Sequence, residues 1–213
     1  MANQKIQVLL VDDHTVARNG VRLMLSSAQD INVGAEAEDA EAAIKLIRER
    51  HFDVALLDIA LTGKSGLDLL KLLRIEKPKL AVLILSMYSE EVYAIRALKL
   101  GAAGYLSKSN SAATLIAAVR KAASGGKYIS PTLVEKLANM IGNDRLSPHE
   151  TLSDRELEVL KLIAAGESLV KIAHTLHLSP NTVTTYRTRI LDKMGLSSNT
   201  ELARYALENG LLI

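Results

Sequence analysis

The sequence predicts an α/β domain built on a doubly wound five-stranded parallel sheet, followed by a small all-α domain. Over residues 1–125, short runs of Val, Ile and Leu alternate with longer amphipathic segments, as expected of repeated strand–helix units. From Ser153 onward only helical periodicity is found. Residues 126–150 contain several Gly, Pro, Ser and Asn residues, which are typical of a linker.

Five strands and five helices are expected in the first domain. The strands are predicted at 5–11, 32–36, 54–57, 81–85 and 103–106, and the helices at 16–27, 39–50, 66–75, 90–100 and 112–123. Asp39 is a good N-cap, Pro78 follows the third helix, and glycines end the fourth and fifth helices. In the first helix, Val16, Val21 and Leu25 are predicted to face the core.

The remaining segments are predicted to be helical. The linker 126–150 contains one short helix at about 131–141, and the second domain covers 151–213. Its four helices are predicted at 153–165, 168–176, 180–194 and 199–209, separated by Gly166, by Leu178-Ser179-Pro180 and by Gly195. Ser179 can cap the third of these helices, and Pro180 fits its first turn.

Composition limits the function classes. With 213 residues, the chain is long enough for two modest domains. The absence of cysteine excludes disulfides, zinc-thiolate sites and thiol nucleophiles. The apolar run at residues 8–11 is too short for a signal peptide or a membrane span, so we expect a cytoplasmic protein without a membrane partner. A net charge of +2 is no argument for nucleic-acid binding, which must be judged from where the charges lie.

Polar side chains are predicted at the carboxyl ends of four strands. Asp12 and Asp13 follow the first strand, Asp58 the third, Ser86 the fourth and Lys108 the fifth. Because active groups of an open parallel sheet gather beyond the carboxyl ends of its strands, these side chains are expected to converge. One aspartate at a strand end is more often a turn or cap residue, but five such groups in register indicate a site.

The predicted cluster suits phosphoryl chemistry. Three carboxylates on one rim repel one another unless a cation lies between them, and hard oxygen ligands with room for water suit Mg²⁺. Such a site fits a phosphoryl acceptor in which a carboxylate oxygen attacks and the metal neutralises the developing charge. A lysine and a hydroxyl then hold the phosphoryl oxygens.

Four stretches resemble the signature motifs of receiver domains: Val11-Asp12-Asp13-His14, Leu57-Asp58-Ile59, Ile84-Leu85-Ser86 and Gly104-Tyr105-Leu106-Ser107-Lys108. The resemblance implies that Asp58 is the phosphoacceptor and that Asp13 and Asp58 bind Mg²⁺ directly. It also implies a ligand role for the backbone carbonyl of Ala60 and a water-mediated one for Asp12. Lys108 would contact the phosphoryl group, and Ser86 and Tyr105 would form the switch pair.

The chain departs from the receiver pattern at loop-shaping positions. Receivers often have a proline four residues after the phosphoacceptor, and this chain has Thr62 there. The aspartate pair is often followed by His-Pro, and here it is followed by His14-Thr15. Lys108 is followed by Ser109 and not by proline. These departures leave fold and chemistry intact. In the family, the positions of Ala60 and Tyr88 tune aspartyl-phosphate lifetime, and we hypothesise that Tyr88 shields the phosphoryl group from water.

The predicted helix 180–194 is two-sided. Its apolar residues Val183, Ile190, Leu191 and Met194 share one face, flanked by Tyr186 and Arg187. The opposite face carries Thr184, Thr185, Thr188, Arg189 and Asp192. Short hydroxyl side chains with flanking arginines suit a helix that enters the DNA major groove, but a plain solvated face has the same pattern.

The second domain resembles the LuxR-type helix-turn-helix at 152–160, Gly166, 172–173 and 178–183. With the receiver, this makes the chain similar to NarL/FixJ-family regulators along nearly its whole length. The resemblance implies base-edge contacts from Thr184, Thr185 and Thr188, and phosphate contacts from Arg187, Arg189 and Lys193. After Ser168, many relatives have Asn-Lys, whereas this chain has Leu169-Val170. The two apolar residues either remove a phosphate contact or form a protein-facing patch.

The sequence therefore indicates a DNA-binding transcriptional regulator controlled by phosphorylation and not an enzyme, apart from a receiver's own phosphorylation and dephosphorylation. Its expected partners are a sensor histidine kinase, double-stranded DNA and a second copy when phosphorylated, with RNA polymerase a further candidate. An aspartyl phosphatase needs a second acid where Ala60 stands. A small-molecule sensor calls for an aromatic-lined cavity, yet the chain has one Phe and no Trp. A regulator acting through protein contacts alone is the remaining alternative.

Overall fold

The computed structural model describes residues 5–61, 65–87, 90–141 and 147–212. The chain divides into two compact units, Met1–Val134 and Glu135–Ile213. The first unit is an α/β structure and the second is entirely helical over its described residues, so the predicted fold class is confirmed. Within the described ranges, no helix is long and apolar enough to cross a bilayer.

Strands and helices alternate through the first unit, as predicted. They are β1 (Ile6–Val11), α1 (Thr15–Ser26), β2 (Ile31–Ala37), α2 (Ala40–Glu49), β3 (Val54–Leu57), α3 (Gly66–Glu76), β4 (Ala81–Ser86), α4 (Glu90–Lys99), β5 (Gly104–Ser107) and α5 (Ala112–Ala123). All strand pairs are parallel, in the order β2-β1-β3-β4-β5. The order reverses direction between β1 and β3, and the loops that follow these strands therefore diverge and leave a crevice.

Apolar burial and side-chain caps explain these elements. Every residue of β3 is buried, as is typical of a central parallel strand covered by helices on both faces. The N-terminal amides of three helices are capped by side chains: Asp39 accepts from the Ala42 amide, Ser65 from Leu67 and Ser111 from Thr114.

One predicted core residue of α1 is wrong. Val21 and Leu25 are buried, but Val16 is 87% exposed. At 3.6 residues per turn, Val16 and Leu25 are separated by about two and a half turns and therefore lie on opposite sides of the helix. The face that Val16 shares with Leu23, which is also exposed, is turned to solvent.

The second unit follows the predicted helical pattern, and α6 leads into it. The elements are α6 (Pro131–Ile141), a short 3₁₀ helix (Pro148–Thr151), α7 (Asp154–Ala164), α8 (Leu169–Thr175), α9 (Pro180–Met194) and α10 (Asn199–Glu208). Serines at 153, 168, 179 and 198 cap α7 to α10. The 3₁₀ helix was not predicted, and it is tied to α10 by a 2.9 Å hydrogen bond between His149 Nδ1 and the Tyr205 hydroxyl.

Helices α7, α9 and α10 enclose the core of the second unit, and α8 packs on α9. The core residues share near-complete burial: Leu157, Leu160, Ile172, Val183, Ile190, Leu202 and Ala206. Gly195 ends α9 with a left-handed backbone, φ 65°, which a glycine adopts without strain. The buried face of α9 is the one that its periodicity predicted.

Candidate functional site

Three of the predicted site residues of the first unit, Asp12, Asp58 and Lys108, extend the hydrogen-bond ladder of the sheet by one step beyond the strand ends. The Asp12 amide donates to the Ala37 carbonyl at the end of β2, and the Asp58 amide donates to the Val11 carbonyl at the end of β1. Similarly, the Lys108 amide donates to the Ser86 carbonyl at the end of β4. Main-chain hydrogen bonds therefore hold these residues at one edge of the sheet, beside the crevice between β1 and β3.

The side chains of three of these residues meet directly. The Lys108 ammonium lies 2.7 Å from Asp12 Oδ2 and 2.8 Å from Asp58 Oδ2, so it bridges the two carboxylates. Asp12 and Asp58 are almost wholly buried, whereas Asp13 is partly open to solvent. We call Asp12, Asp13 and Asp58 the acidic rim. Asp58 is distant in sequence from Asp12 and Asp13, and it meets them because β1 and β3 are neighbours in the sheet.

Burial and the lysine act in opposite directions on the rim. Burial raises the pKa of the Asp58 carboxyl, although the hydrogen bond and charge of Lys108 pull it back. For Lys108, burial favours the neutral amine, but its bonds to Asp12 and Asp58 outweigh burial and raise the ammonium pKa. Lys108 therefore stays cationic beside a carboxylate that is costly to keep charged.

The backbone around Asp58 is tightly constrained. The Ala60 amide donates to the Asp58 carboxylate. Gly66, the first residue of α3, comes so close that a Cβ there would lie 1.9 Å from the Asp58 carbonyl oxygen. Sequence reasoning missed Gly66, because its helical position gives no sign of this approach.

The switch candidates lie on the strands beside the acidic rim. Ser86 is the last residue of β4 and is buried. In the pairing of β3 with β4, Asp58 is level with Leu85, so Ser86 lies one residue further along. Tyr105 is also buried and lies opposite Ile84, which is itself level with Leu57. The hydroxyl and the ring are therefore on adjacent strands, two ladder steps apart. Tyr88 and Thr62 lie outside the described residues.

The rim has the composition of a site for a hard divalent cation. The Lys108 ammonium pairs with Asp12 and Asp58, and Asp13 adds a third carboxylate, so the cluster has negative charge that a divalent cation could neutralise. One donor atom from each of Asp12, Asp13, His14 and Asp58 can be chosen so that all lie within 4.8 Å of one another. The residues present therefore fit Mg²⁺. Sequence reasoning placed the three aspartates and overlooked the His14 imidazole.

In the second unit, the predicted base-edge residues share the exposed face of α9. Thr184, Thr185, Thr188 and Arg189 are all exposed. The three threonine hydroxyls donate to main-chain carbonyls one turn earlier, at 3.0, 3.0 and 3.2 Å. Because their hydrogens are used inside the helix, the exposed part of each threonine is an oxygen acceptor and a methyl group.

Two of the predicted phosphate-contacting residues have partners within the domain. Arg187 is half-buried, and its Nε donates to Asn199 Oδ1 at 2.6 Å. Lys193 lies 2.7 Å from Glu156 Oε2, a buried carboxylate that also accepts from the Ser153 amide. To reach a phosphate, Lys193 would have to leave this carboxylate, whereas Arg189 is exposed on the same face as the threonines.

Leu169 and Val170 begin α8 with different exposures. Val170 is 68% exposed and Leu169 is half-buried, so only the valine presents a fully apolar surface to solvent. Lys171 pairs with Glu167 across one turn at 2.7 Å.

A parallel α/β unit with such a rim, joined to a helical unit with a two-sided third helix, belongs to the class of two-domain response regulators. Residues 8–120 match the family model of the response regulator receiver domain, and residues 150–206 match that of the LuxR family of bacterial regulatory proteins. The chain therefore belongs to the response regulators that carry a LuxR-type DNA-binding domain.

Relatives match along nearly the whole chain. The response regulator GacA of Pseudomonas aeruginosa is 34% identical over 97% of this chain and 98% of its own length. RcsB of Salmonella enterica serovar Typhimurium, solved bound to promoter rprA in the presence of phosphomimetic BeF3-, is 25% identical, with a TM-score of 0.66 over 95% of this chain and 98% of RcsB. A structure of two RcsB dimers bound to two parallel DNAs has 25% identity and a TM-score of 0.60 over the same shares.

Proposed function

We propose that this chain regulates transcription through phosphorylation of Asp58. The observation that carries the proposal is the Lys108 ammonium, which lies 2.8 Å from the Asp58 carboxylate at the carboxyl edge of the sheet. A cation in that position stabilises negative charge on an attached phosphoryl group. Membership of the response regulator family supports a regulatory role over that of an aspartyl phosphatase or a small-molecule sensor.

The donor in this mechanism is a sensor histidine kinase. The phosphorus–nitrogen bond of its phosphohistidine breaks while an Asp58 carboxylate oxygen bonds to phosphorus. Lys108 then turns its hydrogen bond from Asp58 to a phosphoryl oxygen. When bound by Asp13, Asp58 and the Ala60 carbonyl, with Asp12 acting through water, Mg²⁺ supplies neutralisation of the phosphoryl charge. The receiver domain also catalyses its own phosphorylation and dephosphorylation in this scheme.

Ser86 and Tyr105 are proposed to report the phosphoryl group to the surface. The buried Ser86 hydroxyl bonds to a phosphoryl oxygen, and the Tyr105 ring moves into the space that this leaves. The shift changes the relative populations of two conformations of the receiver. The outcome is release of the DNA-binding domain, dimerisation of the chain, or both.

The output is sequence-specific binding to double-stranded DNA by α9. Thr184, Thr185 and Thr188 read bases, and Arg189 contacts phosphates, with Arg187 and Lys193 as further candidates. The RcsB complexes support a DNA-bound homodimer as the active form. A cytoplasmic location follows from these partners, and RNA polymerase is a further candidate partner. The division into a receiver (1–125), a linker (126–150) and a DNA-binding domain (151–213) belongs to the same proposal.

Mass spectrometry of the intact protein tests the proposal. Incubation with acetyl phosphate and Mg²⁺ is expected to add one phosphoryl group that is labile to hydroxylamine, as acyl phosphates are. Asp58→Asn should abolish the addition, and Asp68→Asn, which changes an exposed carboxylate on α3, should not. An addition that persists in Asp58→Asn contradicts the assignment. Failure of the wild type to gain mass favours a regulator that acts through protein contacts alone.

A further inference from the structure

Arg187 and Asn199 form a side-chain pair between two helices of the second unit. The Arg187 Nε donates to Asn199 Oδ1 at 2.6 Å, and the two residues lie on α9 and at the first position of α10. A guanidinium has only donors, so the amide must present its oxygen to the arginine. Asn199 is exposed, and solvent can therefore reach the two donors of its Nδ2 group.

The capping of α10 does not use the Asn199 side chain. Ser198 is the N-cap residue, and its hydroxyl accepts from the Glu201 amide at 3.2 Å. The Glu201 carboxylate in turn accepts from the Ser197 amide at 2.7 Å. These bonds fix the turn that carries Asn199, so its amide is left to hold the Arg187 guanidinium.

The pair keeps the positive charge of the arginine. Asn199 is neutral, so it orients the guanidinium without neutralising it, whereas the nearby Lys193 lies 2.7 Å from the Glu156 carboxylate. A guanidinium that is held through Nε still has both Nη groups for a two-pronged contact with an anion. Arg187 is therefore a charged and pre-oriented donor, and binding an anion costs it little side-chain entropy.

We propose that Arg187 and Asn199 together bind one phosphate of the DNA backbone, with the Nη groups and Asn199 Nδ2 as donors. The inference rests on the proposed function, because it requires α9 to lie against DNA. Arg187 is three residues from Thr184 on the helix, so it flanks the exposed threonine face. A side chain beside a base-reading face is placed for the phosphates at the edge of the groove. The pair thus gives α10 a direct contact with DNA.

The salt dependence of DNA binding tests the inference. The full chain, treated with acetyl phosphate and Mg²⁺, is titrated into labelled duplex DNA of mixed sequence at several salt concentrations. Asn199→Asp places a carboxylate against Arg187, so it should weaken binding and reduce the logarithmic salt slope by about one unit.

Asn209→Asp is the matched control, because it adds the same charge to the same helix. Asn209 is exposed at the C-terminal end of α10, ten positions after Asn199. That spacing corresponds to about 15 Å along the helix, which exceeds the Debye length of about 8 Å at physiological ionic strength. Asn209→Asp should therefore leave the slope unchanged.

Asn199→Ala tests the amide donor itself. Loss of one hydrogen bond to a charged phosphate should weaken binding about tenfold with little change in slope, because no charge is removed. In an Arg187→Met background the same alanine should have a smaller effect, since the two residues serve one phosphate. An equal effect in both backgrounds means that they act separately and overturns the inference.

The outcomes distinguish this inference from the proposed function. Wild-type protein that binds no duplex DNA contradicts the DNA-binding output, and this inference falls with it. Wild-type protein that binds DNA, with an unchanged slope in Asn199→Asp or unchanged affinity in Asn199→Ala, overturns the shared phosphate site alone. Equal slope changes in Asn199→Asp and Asn209→Asp also overturn it, because the effect is then one of added charge anywhere on α10. Thermal unfolding of each variant shows whether it is folded.

Discussion

Lys161 is a buried charge that contributes to the pH dependence of stability. This lysine lies on the inner side of α7 with 9% of its surface exposed, and burial lowers its pKa to about 8, partly opposed by Glu158. Below that pH the folded domain must keep an ammonium that water would solvate better. In the unfolded chain the same group titrates near its ordinary pKa of 10.5.

Lys161→Met should therefore stabilise the protein at neutral pH. The destabilising effect of Lys161 is complete below pH 8 and disappears as the pH rises toward 10.5, because the unfolded state binds more protons in that window. A gain of up to about 3 kcal/mol in the free energy of unfolding corresponds to the shift. Urea unfolding of wild type and variant at several pH values measures it. A gain that does not shrink between pH 8 and 10.5 would contradict a lowered pKa in the folded protein.

Exposed Lys171 provides the control at the residue scale. Its pair with Glu167 is on the surface of α8, and Lys171→Met should change the free energy of unfolding by no more than about 0.5 kcal/mol.

Neither the burial of Lys161 nor the exposure of Val16 was predicted from periodicity. Both depend on which side of a helix meets its neighbours, and short amphipathic patterns leave that side uncertain by a residue or two.

Gly66 decides how closely an element can approach the phosphoacceptor. Gly66→Ala places a methyl group against the Asp58 carbonyl and the Ile59 Cα, so α3 or the loop after β3 must move. We expect a loss of about 1–3 kcal/mol in stability and slower phosphorylation of Asp58 by acetyl phosphate. Urea unfolding and time-resolved mass spectrometry measure the two effects.

Gly20→Ala is the counterpart of that change. Gly20 is in α1, and apart from its chain neighbours and the nearby backbone of its own helix, no described atom lies within 4 Å of the position that an alanine Cβ would occupy. Alanine should therefore stabilise the helix by up to about 1 kcal/mol and leave phosphorylation unchanged. If both alanine variants slow phosphorylation equally, the close approach at Gly66 is not the cause. The contrast between two helical glycines could not be predicted from sequence, because it depends on packing between distant segments.

Helix α9 offers a separate test at the scale of an element. Arg189→Ala should reduce the salt dependence of DNA binding by about one unit of the logarithmic slope, because one phosphate contact and its counterion are lost. Thr188→Ala should leave that slope unchanged and weaken only sequence-specific binding. Fluorescence anisotropy with labelled duplex DNA over a range of salt concentrations measures both. Exposed Arg204, on α10, is the control and should not alter the slope.

Much at this scale could be predicted from sequence. Strand and helix positions were within one or two residues, because runs of branched apolar residues and serine or aspartate caps are local signals. The meeting of Asp12, Asp58 and Lys108 followed from one rule about strand ends in parallel sheets. The 3₁₀ helix at Pro148–Thr151 gave no such signal, since its hydrogen bond to Tyr205 joins residues that are 56 positions apart.

At the scale of the whole molecule, one carboxylate in the receiver is proposed to control a DNA-binding helix in the other domain. The coupling must appear as a difference in DNA affinity between the phosphorylated and unphosphorylated protein. Changes confined to α9 should reduce DNA binding in both forms, whereas changes at Asp58 should remove only the difference between them. The two kinds of variant thus separate the output from its control.

The most direct test is the enrichment of fragments of the encoding genome by the full chain, with and without acetyl phosphate, followed by affinity measurement on the enriched fragments. Phosphorylation should raise the affinity by a factor between about 5 and 150, the usual range of allosteric coupling. Asp58→Asn should bind the same fragments at the unphosphorylated level under both conditions. Equal affinity of wild type with and without the phosphodonor, or an undiminished response in Asp58→Asn, would contradict control of DNA binding by this carboxylate.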